Sequence, residues 1–139
     1  MTLAPLLDTH AWMWWVDGDR RLGRRVRDAL DHLSPDDRPV LCDISLWEAA
    51  TLASLRRVSL RPSTRAWLRA AADSNIVHLT RLTPEVAAEV ADLPASFHRD
   101  PADRIIVATS RVMGRPLLTR DRRILQSRLV ARWRPAGRT

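Results

Sequence analysis

The chain contains no lysine; all 23 of its basic residues are arginine. That absence excludes a phosphate-loop lysine, a Schiff-base lysine and the lysine that partners a phosphorylated aspartate. Cysteine is almost missing too. Cys42 has no internal disulfide partner, fits a reducing cytoplasm, and reads as a buried structural thiol among Val40, Leu41 and Ile44. Only four glycines occur and none lies near the first apolar run, which excludes a glycine-rich dinucleotide-binding turn there. No apolar run approaches the roughly 18 residues of a membrane-spanning helix. The N-terminus shows no basic stretch followed by an apolar core, so neither membrane association nor a secretory leader is expected. The four histidines, His10, His32, His78 and His98, show no HxxxH or HExxH spacing, and with one cysteine a zinc site is not expected. No serine stands in a GxSxG setting, which removes serine-hydrolase chemistry of that kind.

What is present fits an ordinary globular protein. A length of 139 residues, 45% hydrophobic and 28% charged, implies one domain over 1–139 with a polar tail from about residue 134. The net charge of +7 favours a polyanionic partner, because arginine offers forked donors to phosphates. A GC-rich genome produces the same arginine excess, so charge alone does not decide for nucleic acid.

Apolar spacing alternates between strand and helix. Residues 3–7 read as a buried strand ending at Asp8, and Thr9 to Trp15 as the start of a helix. Leu22, Val26, Leu30 and Leu33 form a helical stripe, broken by Ser34-Pro35-Asp36-Asp37. Pro39 to Cys42 reads as a second strand, and Ser45 as the N-cap of a helix through Leu55. Ser63 caps a further helix to Ala72, and Ile76 to Leu79 reads as a strand. Pro84 opens a helix to about Leu93, Asp100-Pro101 opens one to Met113, and Gly114 ends it. Leu117 and Leu118 form a strand, Asp121 to Leu125 a helical turn, and Val130 to Trp133 a final edge strand. Such alternation predicts an α/β fold whose mainly parallel sheet of about four to five strands is covered on both faces.

Four acids stand beside apolar segments: Asp8, Glu48, Asp103 and Asp121. A carboxylate next to buried structure is costly unless it is paired, hydrogen-bonded or bound to a cation. Asp8 and Asp121 fall at the carboxyl ends of strands, where parallel α/β sheets bind ligands, and Asp103 projects from a first helical turn toward the same edge. Glu48 carries a second reading, since Ser45 to Glu48 has the spacing of a capping box. Clustered carboxylates repel unless a cation neutralises them, and oxygen-only ligands favour magnesium or manganese. A phosphoaspartate phosphatase would want a second aspartate two residues after the first, but that position is His10. Metal-dependent phosphoryl chemistry remains.

Four motifs, in order, resemble the PIN-domain ribonucleases and, within them, the VapC-type toxins. Leu6-Leu7-Asp8-Thr9-His10-Ala11-Trp12-Met13-Trp14-Trp15 is similar to their opening segment, and Ser45-Leu46-Trp47-Glu48-Ala49-Ala50 to the stretch around their second acid. His98 to Thr109 is similar to their HxDPFDR block, with Ala102 in place of the usual aromatic, and Leu118-Thr119-Arg120-Asp121 to their closing motif. The glycine often found after the second-acid helix is absent near Arg57 to Leu60. The resemblance implies a three-layer α/β/α PIN-like fold and a magnesium-dependent endoribonuclease, with manganese as a possible substitute. The toxin of a type II toxin–antitoxin pair is the role it implies. Asp8 and Asp103 would be the principal metal ligands, Glu48 and Asp121 would complete the cluster, and Thr119 would orient ligands or water. Asp100 would serve as an N-cap, and His98 as a structural or substrate-contacting residue. Products would carry a 3′-hydroxyl and a 5′-phosphate. Arg104, Arg120 and Arg122 are candidates for holding the RNA backbone. Trp12, Trp14 and Trp15 read as core by default, but they cannot all face one way on a helix, so they are also candidates for contacts with an antitoxin or a second copy in a homodimer. The alternatives are a PIN-like RNA-binding or assembly module without catalysis, and an RNA-processing PIN nuclease with no antitoxin.

Overall fold

A computed structural model describes residues 3–135; most of the polar tail expected from about residue 134 lies outside them. Four short strands, β1 (Leu6–Leu7), β2 (Val40–Cys42), β3 (His78–Thr80) and β4 (Leu117–Leu118), form one parallel sheet in the order β3-β2-β1-β4. The expected final strand is reduced to a single parallel bridge between Leu117 and Arg132. The first helices are α1 (Thr9–Asp17), α2 (Arg24–Asp31), α3 (Ile44–Ser54) and α4 (Thr64–Ala71). They are followed by α5 (Pro84–Asp92), α6 (Pro101–Met113) and α7 (Arg122–Ser127). Among the described residues no helix is long and apolar enough to cross a membrane.

The apolar strands are explained by burial on both faces. In register, Leu6 lies beside Val40 and Leu117, while Leu7 lies beside Leu41 and Leu118. Successive side chains point to opposite faces. The first set packs with Val86 of α5, Ile106 and Val107 of α6 and Ile124 of α7. The second packs with Trp12 of α1, Val26 and Leu30 of α2, Ala49 of α3 and Trp67 of α4. Two cores thus flank one sheet, giving the α/β/α layering.

Helix ends follow the predicted chemistry at Ser63, Asp100 and Gly114, and Pro84 opens α5 as expected. Asp8, Ser63, Thr83, Asp100 and Asp121 each accept a backbone N–H as N-caps, and Gly18 and Gly114 close α1 and α6 in the left-handed conformation. The exception is α3. It begins at Ile44, and Ser45 is fully buried, its hydroxyl 2.9 Å from that of Thr9. The capping box expected for Ser45 and Glu48 is therefore not formed, because Ser45 points into the α1 contact. After α3, Arg56 occupies the left-handed region at φ 59°, a conformation that glycine adopts at less cost.

Trp12 is fully buried, donates through its indole N–H to the carbonyl of Ala71 at 2.9 Å, and meets Trp67 edge-on at 4.9 Å between ring centroids. It is core, its default reading, and offers no surface to a partner, contrary to the contact also expected of it. Ala102, despite its small size, is likewise buried, and α6 continues past it without a break. Cys42 is buried, and burial pushes its thiol up to about 12, which makes it unreactive at neutral pH.

Candidate active site

Strand order reverses at β1: the chain proceeds to β2 on one side and returns to β4 on the other. A crevice opens beyond the carboxyl ends of strands at such a point. The cleft found there, about 450 Å³, is lined by all four predicted acids, Asp8, Glu48, Asp103 and Asp121, together with Asp100. Asp8 follows β1 directly, and Asp121 stands three residues beyond Leu118 of β4. Glu48 projects from the first half of α3, and Asp103 from the first turn of α6.

Asp8, Asp100 and Asp121 are each held by local structure. Asp8 is buried; its Oδ1 accepts the N–H of Ala11 at 2.8 Å and its Oδ2 the hydroxyl of Thr119 at 2.5 Å. Thr119 Oγ1 in turn accepts the N–H of Asp121 at 3.0 Å, so one buried hydroxyl ties the first acid to the fourth. Asp121 caps α7 through the N–H groups of Arg123 and Ile124. Asp100 Oδ1 accepts the N–H of Asp103 at 3.0 Å, which is the N-cap role expected of it. Oδ1 of Asp100 is engaged in that cap, yet Asp100 can still offer a carboxylate oxygen that lies within 4.8 Å of oxygens from Glu48 and Asp103.

The electrostatics converge on Asp103. Its carboxyl is pushed up from 3.8 to about 8, first by burial and then by repulsion from Asp100, Glu48, Asp121 and Asp8. Burial also raises Asp8 and Glu48, against the lowering effect of their hydrogen bonds. Glu48 Oε1 is buried with no hydrogen-bond partner. A buried carboxylate oxygen without a donor costs free energy unless a proton or a cation satisfies it. Oxygen donors from Glu48, Asp100 and Asp103 grouped in this way suit a hard divalent cation. The residues present fit the metal that the sequence implied, with Asp103 at the centre. Asp8 is more constrained than expected, because both of its oxygens already accept protein hydrogen bonds.

The predicted arginines divide. Arg120 lines the cleft, with one guanidinium nitrogen donating to the carbonyl of Leu22 at 2.5 Å, 2.7 Å from where a Cβ would stand on Gly23. Arg104 does not face the cleft: it donates to the carbonyls of Phe97 and His98 at 3.0 and 3.2 Å and fixes the loop that carries Asp100. Arg122 is exposed and lies outside the cleft, whereas its neighbour Arg123 lines it. His10, Arg21 and Arg57 also line the cleft and were not singled out as site residues by sequence reasoning, while Trp14, expected as a partner contact, lines it too. Position 10, two residues past the first acid on α1, is the signal that was available for His10. Trp14 carries Arg21 over its ring at 5.1 Å and His10 tilted against it at 5.8 Å. Trp15 is partly buried and donates to Asp31 at 2.9 Å.

A doubly covered parallel sheet with a carboxylate cluster at its switch point makes this an α/β protein with a candidate metal site. The PIN-domain family model matches residues 6–129, and the chain belongs to that family. Ribonuclease VapC22 of Mycobacterium tuberculosis is 38% identical over 123 residues, which covers 88% of this chain and 91% of that protein. A chain of a toxin–antitoxin complex from Klebsiella pneumoniae shares the fold with a TM-score of 0.65 at 19% identity, over 92% of this chain and 96% of its own.

Proposed function

We propose that this PIN-domain protein is a magnesium-dependent endoribonuclease and the toxin of a toxin–antitoxin pair, acting as one unit in the cytoplasm. The observation that carries the reading is the convergence of Asp8, Glu48, Asp103 and Asp121 in one cleft, where burial first and then repulsion from the neighbouring acids push the Asp103 carboxyl up to about 8. The 38% identity to a protein named a ribonuclease supports the reaction class, and the shared fold with a toxin–antitoxin complex is compatible with the biological role.

When bound, a magnesium or manganese ion supplies the positive charge that a scissile phosphate and an attacking water require. The chain's own residues prepare for it. Asp103, Glu48 and Asp100 gather the ligand oxygens, while Asp8, fixed by Ala11 and Thr119, presents a rigid carboxylate beside them. Arg21, Arg57, Arg120 and Arg123 surround these acids and would hold phosphates on either side of the cut. The acids repel RNA in the absence of metal, so the arginines and the cation must act together.

For the antitoxin and a second copy of the chain, the exposed apolar side chains of Trp47 and Leu55, 57% and 58% exposed at α3, replace Trp12 as the candidate contact. The catalytic reading is tested by incubating the protein with total RNA and magnesium, beside an EDTA control and Asp8→Asn. Cleavage is expected only in the wild type with metal; equal cleavage in both controls would remove the metal-nuclease reading.

A further inference from the structure

The imidazole of His98 has no role in the site as described so far. Both of its ring nitrogens are buried without a hydrogen-bond partner. Nε2 lies 3.3 Å from Oδ2 of Asp103, close but without hydrogen-bond alignment. The ring is held from behind by Phe97 at 4.5 Å between centroids, and its backbone carbonyl is anchored by Arg104. A ring nitrogen fixed in this way, with no proton donor or acceptor to satisfy it, costs free energy unless something enters between it and its neighbours.

What it faces is a second group of ligand atoms. One from each of His98, Asp103 and Asp121 lie within 4.8 Å of one another, and this group shares Asp103 with the oxygen-only group of Glu48, Asp100 and Asp103. His98 lies outside the main cleft, in a neighbouring depression of about 380 Å³ shared with Arg123, so the group sits between two openings. Arg123 now reaches Asp121 at 3.6 Å, but its side chain is 64% exposed and can move away. Such an exposed pair is weak.

We propose that His98 is a nitrogen ligand which, with Asp103 and Asp121, makes one face of the site prefer a divalent transition-metal ion such as manganese over magnesium. This rests on the metal-nuclease reading above and refines it by naming the ligand that sets metal preference. Imidazole nitrogen suits transition metals, whereas magnesium keeps to oxygen and water. Asp103 belongs to both groups, and therefore couples an oxygen-only position to a mixed nitrogen and oxygen one.

The test is pulsed electron paramagnetic resonance on the full chain loaded with one equivalent of manganese, together with calorimetric titration of manganese and of magnesium. The wild type is expected to show nitrogen-14 coupling to manganese. His98→Gln, which offers an oxygen in place of the nitrogen, should lose that coupling and lower the manganese-to-magnesium affinity ratio about tenfold. His10→Gln should keep the coupling, and decides the matter if His98→Gln fails to fold. No coupling in the wild type, coupling retained in His98→Gln, or coupling lost in His10→Gln would each overturn the assignment. Magnesium-supported RNA cleavage without nitrogen coupling would leave the nuclease reading intact, whereas failure of either ion to bind would remove both.

Discussion

Replacing Asp103 by asparagine is expected to stabilise the metal-free protein while destroying its metal site. In the fold this carboxyl is raised from 3.8 to about 8 by burial and by four neighbouring acids. Between about pH 4 and pH 8 the fold therefore holds a proton here that the unfolded chain does not, and stability of the metal-free protein falls as pH rises through that window. At pH 7 the difference is about 3 pH units, and about 1.4 kcal/mol per unit sets an upper limit of roughly 4 kcal/mol. Sharing that proton with Glu48 and Asp8 leaves a gain of about 1–3 kcal/mol. For a domain of this size that is a rise in Tm of roughly 3–9 °C. Thermal melts in EDTA at pH 7 should show the rise, and melts at pH 4.5 should show little of it. Saturating magnesium should raise the Tm of the wild type and leave Asp103→Asn unmoved. An equal or lower Tm for Asp103→Asn in EDTA at pH 7 would refute the claim that the acids are held together against repulsion.

Two further perturbations probe the supports of the site. Thr119→Val keeps the shape but leaves Asp8 Oδ2 and the Asp121 N–H without their shared partner. Urea denaturation should show a loss of about 1–3 kcal/mol, and a loss below about 0.3 kcal/mol would mean the network contributes nothing. Arg56→Gly removes a side chain from a left-handed residue that is exposed. Relief of that strain, less the added freedom of the unfolded chain, should raise stability by a few tenths to about 1 kcal/mol in the same assay.

Local chemistry made much of this fold legible. The N-caps Ser63 and Asp100 announce themselves by residue type, and Gly114 marks the end of α6 because only glycine adopts its conformation without cost; Asp8 and Asp121, read as site acids, turn out to cap helices as well. Strand edges were less certain: the run Ile76 to Leu79 yields a strand that starts only at His78, where pairing with Val40 begins. The four acids were found because each sits next to an apolar run. Glu48 was ambiguous, since a capping box and a site acid share one spacing, and only the Thr9–Ser45 contact across 36 residues separates them. The arginines were not legible for a different reason. Arg122 and Arg123 are adjacent on a short helix, and which of them faces the cleft depends on the rotation of α7 set by Ile124 in the core. Arg21 and Arg57 reach the cleft from elements far apart in sequence, so no local pattern marks them. Crowding showed that the three tryptophans could not all share one face but not which of them is core; for Trp12 the Ala71 carbonyl, 59 residues away, gives the indole N–H its buried partner.

The central claim is that the cluster around Asp103 directs water, through a bound cation, onto an RNA phosphodiester. The chemistry of the cut ends tests it most directly. Cleavage of RNA in magnesium should leave 3′-hydroxyl and 5′-phosphate ends, ligatable without prior kinase treatment, and should stop in EDTA and in Asp103→Asn. Ends bearing a 2′,3′-cyclic phosphate, formed without metal, would show that the ribose hydroxyl is the nucleophile and would contradict the account.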